Sequence, residues 1–373
     1  MVEKTQHSRR RRGRSISMEL DKIPTSALAT TILERFDSEK TVSQVRSWLA
    51  QCENTHAKCT RQKDVVLPTR VIDVGKFGDT HVKILEAHGR SGRYLTLSYC
   101  WGDCDSYRTT TSNFSAGISS IPLRALPKTL RDAVEYTRLL GFSFIWIDAL
   151  CTIQNNEADW EREAAKMCTI YENATLSLSI LDSTSSNDGF LNERPLAEHI
   201  ESDGLAVDVG LKRWQLQVLA LSALEKRAWA LQERVLAPAV LHLAADTVHW
   251  ECSAGTASQD SPRFSANPDP HNIHRQNSVY YIRPILRSWS TKVEISSQHW
   301  YNLIELYSAR RLSFESDRAA AVYGLAMKFQ RFRPDRYVGG MWMGDIHAGL
   351  LWLTRVRPSE NSHRNAFVRP SWS

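Results

Sequence analysis

Side chains that could do chemistry are concentrated in two short stretches of the sequence. The first holds Ser98, Tyr99, Cys100, Trp101, Gly102 and Asp103, and the second holds Asp148, Cys151, Gln154, Asp159, Trp160 and Glu163. A crevice lined with these carboxylates, indoles, thiols and hydroxyls suits a polar small molecule that carries a sugar or a base. A carboxylate there could stabilise positive charge on a sugar ring, and an indole could stack on a base.

Each of these residues also has a purely structural interpretation. Asp148 could cap the turn after its strand, and Asp159 could be the N-cap of the helix that carries Trp160. Glu163 could be a surface carboxylate favoured by the dipole of that helix. Cys151 could be a small residue of the core. At this point both interpretations stay open.

A strand–helix–strand–helix–strand pattern must position the two stretches. Apolar runs predict strands at 94–99, 144–148 and 175–181, and helical spacing predicts helices at 127–140 and 158–171. This alternation is typical of a parallel sheet with right-handed crossovers. Because loops at the carboxyl ends of neighbouring parallel strands converge, we expect both stretches to meet at one rim of the sheet.

A later helix, predicted over 223–236, adds three polar residues: Arg227, Gln232 and Glu233. Arg227 and Glu233 are too far apart along a helix for an i,i+4 pair, so their partners must lie elsewhere. Asp148 and Asp103 are the candidate partners of Arg227. We expect the three residues to form a structural polar cluster near the sheet rim.

The sequence divides into five regions. We interpret 1–17 as a disordered basic tail, 18–93 as N-terminal helices and a hairpin, and 94–252 as the main domain. Residues 253–278 are rich in Ser, Pro, Asn and His and predict a linker. Residues 279–373 are expected to be a helical C-terminal extension.

The charge balance argues against a nucleic-acid-binding fold. The chain has 47 Lys and Arg against 41 Asp and Glu, and six of those basic residues lie within residues 1–14, so the remainder is close to neutral. A nucleic-acid-binding fold usually carries its basic excess on folded elements, so nucleic acid is an unfavoured partner. We expect a cytoplasmic protein, with nuclear import through the run from Arg9 to Arg14 as the alternative to a solvated tail.

The seven cysteines are expected to be reduced thiols, since the sequence shows no secretory signal and no apolar run long enough for a membrane span. Cys52, His56 and Cys59 have nearly zinc-like spacing. A structural zinc ion takes four ligands, and the fourth is not evident here, although Cys104 and Cys252 are candidates. We expect no metal, with this triplet as the alternative.

Six blocks of sequence resemble the fungal heterokaryon incompatibility (HET) domain in their order and spacing. They are 97–102 (Leu-Ser-Tyr-Cys-Trp-Gly), 126–133 (Leu-Pro-Lys-Thr-Leu-Arg-Asp-Ala), 146–154 (Trp-Ile-Asp-Ala-Leu-Cys-Thr-Ile-Gln), 159–174, 189–191 (Gly-Phe-Leu) and 227–234 (Arg-Ala-Trp-Ala-Leu-Gln-Glu-Arg). The resemblance covers about 94–235 as the domain proper. Thr152 and Ala149 depart from the residues common in the family, but neither belongs to the expected rim.

The segments 48–59 and 317–326 also resemble the family. Such proteins often continue beyond a Pro-Ser-Trp-Ser segment, so the chain could be shortened at Ser373. The resemblance implies a fungal protein whose domain triggers programmed cell death when incompatible hyphae fuse. It also implies a remote similarity to TIR domains, which have flavodoxin-like sheets. We therefore expect an α/β fold, with a parallel flavodoxin- or TIR-like sheet flanked by helices.

Two functions follow from the resemblance. The first is a death-signalling module that needs no cofactor and acts by self-association or by binding an incompatibility partner protein. The absence of G-x-G-x-x-G, Walker, G-x-S-x-G and H-E-x-x-H motifs favours it. The second is a NAD glycohydrolase, because the catalytic glutamate of TIR domains follows a tryptophan as Trp-x-x-Glu, the spacing of Trp160 and Glu163. NAD would then be the substrate, with Ser98 or Asp148 holding ribose hydroxyls.

Overall fold

The computed structural model describes residues 33–59, 64–102, 107–195, 219, 221–245, 247–266, 286, 296–332 and 335–350. The tail predicted over 1–17 lies outside these residues, as do Asp103 and Cys104.

Short strands alternate with helices through the described residues. The strands are β1 (Leu33–Glu34), β2 (Val65–Val66), β3 (Arg70–Asp73), β4 (His81–Glu86), β5 (Ser91–Gly92), β6 (Leu95–Ser98), β7 (Ile121–Pro122), β8 (Phe144–Trp146), β9 (Leu176–Ile180), β10 (Arg194–Pro195), β11 (Ala239–Leu243), β12 (Val248–Cys252), β13 (Gly255–Ser258), β14 (Ser265–Ala266), β15 (Tyr337–Val338) and β16 (Met341–Trp342). The α-helices are α1 (Glu39–Thr55), α2 (Phe114–Ser119), α3 (Lys128–Leu139), α4 (Asp148–Cys151), α5 (Glu157–Asn173), α6 (Ala228–Leu236), α7 (Ser297–Ser308), α8 (Ala320–Phe332) and α9 (Ile346–Gly349). The strands and helices predicted at the centre of the sequence are all present.

Ten of these strands form one sheet, in the order β14-β13-β12-β11-β9-β6-β8-β3-β4-β7. The four central strands β11, β9, β6 and β8 run parallel to one another. All other neighbours in this sheet are antiparallel. The expectation of a parallel sheet is therefore correct only for the centre. Short connections such as those from β3 to β4 and from β11 to β12 permit only antiparallel pairing.

The parallel centre winds in two directions. Its strands follow one another in the chain as β6, β8, β9 and β11, but they lie side by side as β8-β6-β9-β11. Helix α3 connects β6 to β8, and helix α5 connects β8 to β9. The carboxyl ends of β6 and β9 therefore flank the point where the winding reverses, and a crevice outside the sheet is expected at such a point.

The core lies on both faces of these central strands. Leu95, Leu97, Ile145, Leu176 and Leu178 are almost completely buried. In β6 and β9 these leucines alternate with Thr96, Ser98, Ser177 and Ser179, which are also buried, so both faces of these strands are covered. Helices α5, α6 and α8 pack against one another on the sheet. The fold thus fixes the ends of β6 and β8 within a rigid framework.

Two predicted segments differ from the structure. Strands β13 and β14 lie inside the range 253–278, so its described part is an edge of the sheet rather than a linker. The predicted helix 223–236 is broken: Leu224–Lys226 is a 3-10 turn, Arg227 is extended, and α6 begins at Ala228. Arg227 forms an isolated parallel bridge with Arg311, and this long-range pairing competes with the helix.

The segments on either side of 94–233 pack on the same sheet. Helix α1 contacts β12, where the rings of Trp48 and Trp250 lie 6.4 Å apart. At the C-terminal side the ring of Trp300 contacts Phe329 and Trp342 edge-on. Across the described ranges, every helix is too short or too polar to cross a lipid bilayer.

Candidate functional site

Six of the predicted residues meet where β6 and β8 end, and we call them the rim cluster: Ser98, Tyr99, Trp101, Asp148, Arg227 and Glu233. The hydroxyl of Ser98 donates a hydrogen bond to the carboxylate of Glu233. The indole of Trp101 donates to Oδ2 of Asp148 at 2.8 Å, and the hydroxyl of Tyr99 hydrogen-bonds the same carboxyl group. The expectation that both strand ends contribute to one rim is confirmed for these residues.

Arg227 carries the positive charge of the rim cluster. Its guanidinium donates to the backbone oxygen of Tyr99 and faces the carboxylates of Glu233 and Asp148. Burial works against this charge, but the two carboxylates outweigh burial and raise the pKa of Arg227. Asp148, one of the two predicted partners, is therefore a partner of this arginine.

Burial raises the pKa values of both carboxyl groups of the cluster. Burial raises the pKa of Glu233 to about 7, although the charge of Arg227 and the hydrogen bond from Ser98 oppose this rise. Burial also raises the pKa of Asp148 above its usual value, against the same arginine. A carboxyl group that titrates near neutral pH can accept or release a proton under cellular conditions.

The break before α6 explains how Arg227 reaches Glu233. The backbone N–H of Ala228 donates to the oxygen of Arg311 at 2.9 Å, and the N–H of Arg311 donates to Lys226 at 2.6 Å. These bonds hold Arg227 in an extended conformation ahead of the helix. Residues six apart in sequence therefore converge on one site, which an unbroken helix would prevent.

Gln232 lies elsewhere, contrary to the prediction. It faces α8, where a Cβ added at Gly324 would lie only 2.6 Å from its Oε1. That oxygen is buried and accepts no hydrogen bond from any residue the structure describes. The predicted cluster of three therefore contains only Arg227 and Glu233, because consecutive helical positions point to different neighbours.

Three further predicted residues support the rim cluster. Gln154 donates to the backbone oxygen of Asp148 at 3.0 Å. Gly102 has φ +74°, and a side chain there would collide with Ser185. Cys151 belongs to the core, and burial raises the pKa of its thiol to about 12. These residues shape the loop, and the structural interpretation of Cys151 is confirmed.

Asp159 and Glu163 belong to a second group, the Arg70 cluster, which comprises Arg70, Asp159, Arg162, Glu163 and Lys166. Arg70 Nη2 lies 2.6 Å from Asp159 Oδ2 and 3.8 Å from Glu163 Oε1. Glu163 Oε1 also lies 3.5 Å from Arg162 Nε and 3.3 Å from Lys166 Nζ. Three cations thus surround this glutamate, which is only 1% exposed.

This arrangement corrects two expectations. The N-cap of α5 is Asn156, whose side chain accepts the N–H of Asp159, while Asp159 itself accepts the N–H of Ile153 at 2.8 Å. Glu163 is buried rather than on the surface, and its Oε2 accepts no hydrogen bond within the described ranges. Trp160 is half-buried beside it on α5.

The sequence did not predict a third polar group. It is a buried chain of contacts that runs from Arg310 through Glu225, Arg234, Glu251 and His242 to Ser179. His242 Nε2 lies 3.0 Å from Glu251 Oε2, and burial lowers the pKa of His242 below its usual value. No local spacing links these residues, so only the folded sheet reveals the group.

The space beside Ser98 in the rim cluster is narrow. The gap lined by Ser98, Ser177, Ser179 and Arg234 is too narrow to hold a water molecule. A wider groove of about 470 Å³ lies between the paired strands β2 and β5 and helix α5, and it is lined in part by Tyr94, Glu86 and Lys166. The rim cluster is thus closed on the side of Ser98, whereas Trp101, Asp148 and Arg227 are partly exposed.

A possible set of metal ligands shares no residue with either cluster. The predicted triplet Cys52, His56 and Cys59 is joined by Cys252, and one ligand atom of each lies within 4.8 Å of all the others. The fourth ligand that the sequence left open is therefore supplied by β12.

A comparison with known families gives a match to the segment that contains the rim cluster. Residues 94–233 match the family model described as "Heterokaryon incompatibility protein (HET)". No curated protein and no solved structure is significantly similar to the chain. The matched segment contains β6, β8, β9 and most of α6, so it includes all six residues of the rim cluster. Residues 94–233 of the chain therefore form a heterokaryon incompatibility (HET) domain.

Proposed function

We propose that this protein is an effector or signalling module of programmed cell death in fungal non-self recognition. The observation that carries the proposal is the HET domain at 94–233. In this role the domain acts through self-association or through contact with an incompatibility partner protein, and it needs no cofactor.

The pairing of three carboxylates with cationic side chains supports a role without catalysis. The carboxylates of Asp148, Glu163 and Glu233 all face cationic side chains of the same chain. The gap beside Ser98 leaves no room for a substrate group. Buried charges that are paired in this way usually maintain a structure, and their loss destabilises it.

One observation favours a NAD glycohydrolase as the second candidate. The central strand order β8-β6-β9-β11 is the order of a flavodoxin-like sheet, and the rim cluster lies beside the reversal point where such sheets bind ligands. This order supports a TIR-like assignment of the domain. In this alternative, Trp101 would stack on a base and a carboxylate would stabilise the oxocarbenium-like state of the ribose.

The geometry changes which carboxylate is best suited to that chemistry. Glu163 was the sequence candidate, but three cations surround it and it lies in the Arg70 cluster. Glu233 lies in the rim cluster with Ser98, Asp148 and Trp101 in the same group. For the enzyme alternative, both glutamates therefore need to be tested.

Inducible expression of the full chain in yeast, with growth and NAD content measured together, separates the two candidates. A signalling module arrests growth while NAD stays at the level of uninduced cells. Glu233→Gln should then keep its effect on growth. Phe77→Asp and Phe314→Asp alter side chains that are 77% and 69% exposed, and they test whether surface contacts are needed. Ser119→Asp, at an exposed polar position, is the matched control for the added charge.

Two outcomes would reverse the conclusion. A fall in NAD that Glu233→Gln or Glu163→Gln abolishes would establish the enzyme and exclude the signalling-only role. An induced, folded protein that affects neither growth nor NAD would contradict both candidates.

We also propose that the protein acts in the cytoplasm, with nuclear import through the run from Arg9 to Arg14 as the alternative. A fluorescent fusion with and without residues 1–17 distinguishes these locations. A nuclear signal that disappears on deletion would show that the arginine run directs import.

A further inference from the structure

Four potential metal ligands from two distant parts of the chain meet beside α1. Cys52 lies in the last turn of this helix, His56 is its C-cap residue, and Cys59 follows in the next turn. Cys252 is the last residue of β12, 196 positions after His56. The ligand atoms of all four lie within 4.8 Å of one another.

The distances are close to those of a tetrahedral zinc site. Zinc–sulfur bonds of about 2.3 Å place the ligand atoms of a tetrahedron roughly 3.5–4 Å apart. The Sγ of Cys252 lies 3.5 Å from Nδ1 of His56, so this pair already has the required separation. The remaining distances need only a small contraction around an ion, and three thiols with one imidazole are a common donor set for structural zinc.

The surrounding structure holds the ligands in place before any ion binds. The N–H of Cys59 donates to the oxygen of His56 at 2.8 Å, which closes the turn between them. The ring of His56 packs edge-on against Phe264, with 4.5 Å between the ring centres. Cys252 is fixed by its antiparallel pairing with Ala239. Fixed ligands lower the entropic cost of binding.

Burial favours a role in structure over one in catalysis. Cys52, Cys59 and Cys252 are buried and His56 is half-buried. Four protein ligands fill a tetrahedron and leave no position for water or substrate, as in structural zinc sites. The same place already joins α1 to the connection between β13 and β14, because the indole of Trp48 donates to the backbone oxygen of Pro262 at 2.9 Å.

We propose that Cys52, His56, Cys59 and Cys252 bind one zinc ion that fastens α1 to the antiparallel edge of the sheet. Both parts of this site lie outside 94–233. The ion therefore links the segment before the HET domain to the segment after it. On binding, each coordinating thiol loses its proton to solvent, so zinc is retained less well at acidic pH.

The test uses the full chain, expressed with added zinc and purified without chelators. We expect about one zinc per chain by mass spectrometry of the metal. Exchange with Co²⁺ should give the strong visible bands of a tetrahedral site and a thiolate-to-cobalt charge-transfer band. Cys252→Ser should lose most of the zinc, while Cys168→Ser, at a half-buried cysteine outside the site, should retain it.

Stability provides the second measurement. A strong chelator should lower the Tm of the wild type by more than about 5 °C and leave Cys252→Ser unchanged. If Cys252→Ser does not fold, Cys252→His keeps four ligands and should bind cobalt with a weaker charge-transfer band. A wild-type protein that holds no zinc and gives no tetrahedral cobalt spectrum would overturn the proposal, and so would a Cys252→Ser variant that retains its zinc.

Discussion

The hydroxyl of Ser98 donates a hydrogen bond to the carboxylate of Glu233, which lies 135 residues later in the chain. This bond joins the end of β6 to helix α6, across the point where the sheet changes its direction of winding. Because burial raises the pKa of Glu233 to about 7, the protonation of this group changes near neutral pH. The stability of the rim cluster should therefore depend on pH.

Glu233→Gln should change the pH dependence of folding. The pKa of Glu233 rises from 4.5 in the unfolded chain to about 7 in the folded protein, so the folded state binds more protons between these values. Its contribution to the free energy of unfolding therefore falls as pH rises through this window, by about 3 kcal/mol. Urea unfolding at several pH values should show wild type losing stability relative to the variant.

Glu225→Gln is the matched control for that experiment. Burial alone would raise the pKa of Glu225, but Arg310 and Arg234 outweigh it and lower the pKa. Glu225 is thus ionised in the folded and unfolded states above about pH 5.5, so the stability difference between Glu225→Gln and wild type should stay constant from about pH 5.5 to 7. If the free energies of unfolding of wild type and Glu233→Gln changed equally with pH, the prediction would be contradicted.

Arg70→Met should destabilise the protein far more than Arg162→Met. Both arginines contact Asp159 and Glu163, but the side chain of Arg70 is 3% exposed and that of Arg162 is 51% exposed. Removal of Arg70 takes a buried counter-charge away from two buried carboxylates, which costs about 3–5 kcal/mol. The exposed pair should contribute less than about 1 kcal/mol. Equal losses in urea unfolding would show that the Arg70 cluster is not a buried ion network.

His249→Gln should make the protein less sensitive to acid. Burial, with the nearby His242, holds the pKa of His249 well below its usual 6.5. The unfolded chain therefore takes up a proton that the folded protein does not, and stability falls as pH drops below about 6.5. The Tm difference between about pH 7.5 and 5.5 should shrink in this variant. His81→Gln, at an exposed position, should behave as wild type.

Glu163→Gln should leave growth arrest and NAD content unchanged in yeast if the domain signals without catalysis. The substitution keeps the size of the side chain but removes the charge that faces Arg70, Arg162 and Lys166. Glu161→Gln, on the exposed side of the same helix, controls for the expression level. Loss of growth arrest in Glu163→Gln alone, with a normal Tm, would argue for the enzyme.

Local sequence patterns predicted the parts of the fold that depend on neighbouring residues. Apolar runs and helical spacing located β6, β8, β9, α3 and α5, and the rule for strand ends brought Ser98 and Asp148 to one rim. The sequence also placed Glu163 at that rim, but it did not predict the contact of this carboxylate with Arg70. Arg70 lies in β3, which pairs with β8 in an antiparallel direction that periodicity does not reveal.

Long-range pairing also explains the other differences. Nothing in the sequence around Arg227 marks a break, since the extended conformation depends on the bridge to Arg311. The sequence did not identify the fourth ligand of the zinc-like triplet, because Cys252 comes close to it only when the sheet has formed. Contacts of this kind are set by tertiary packing, which overrides local propensity.

The shared sheet has a consequence for any attempt to isolate the HET domain. A fragment limited to 94–233 would keep β6, β8 and β9 but lose β3 on one side and β11 on the other. The unpaired backbone groups of β8 and β9 would then form two open, apolar edges. Such edges pair readily with other chains, so this fragment should aggregate, although it contains the whole segment that matches the family model.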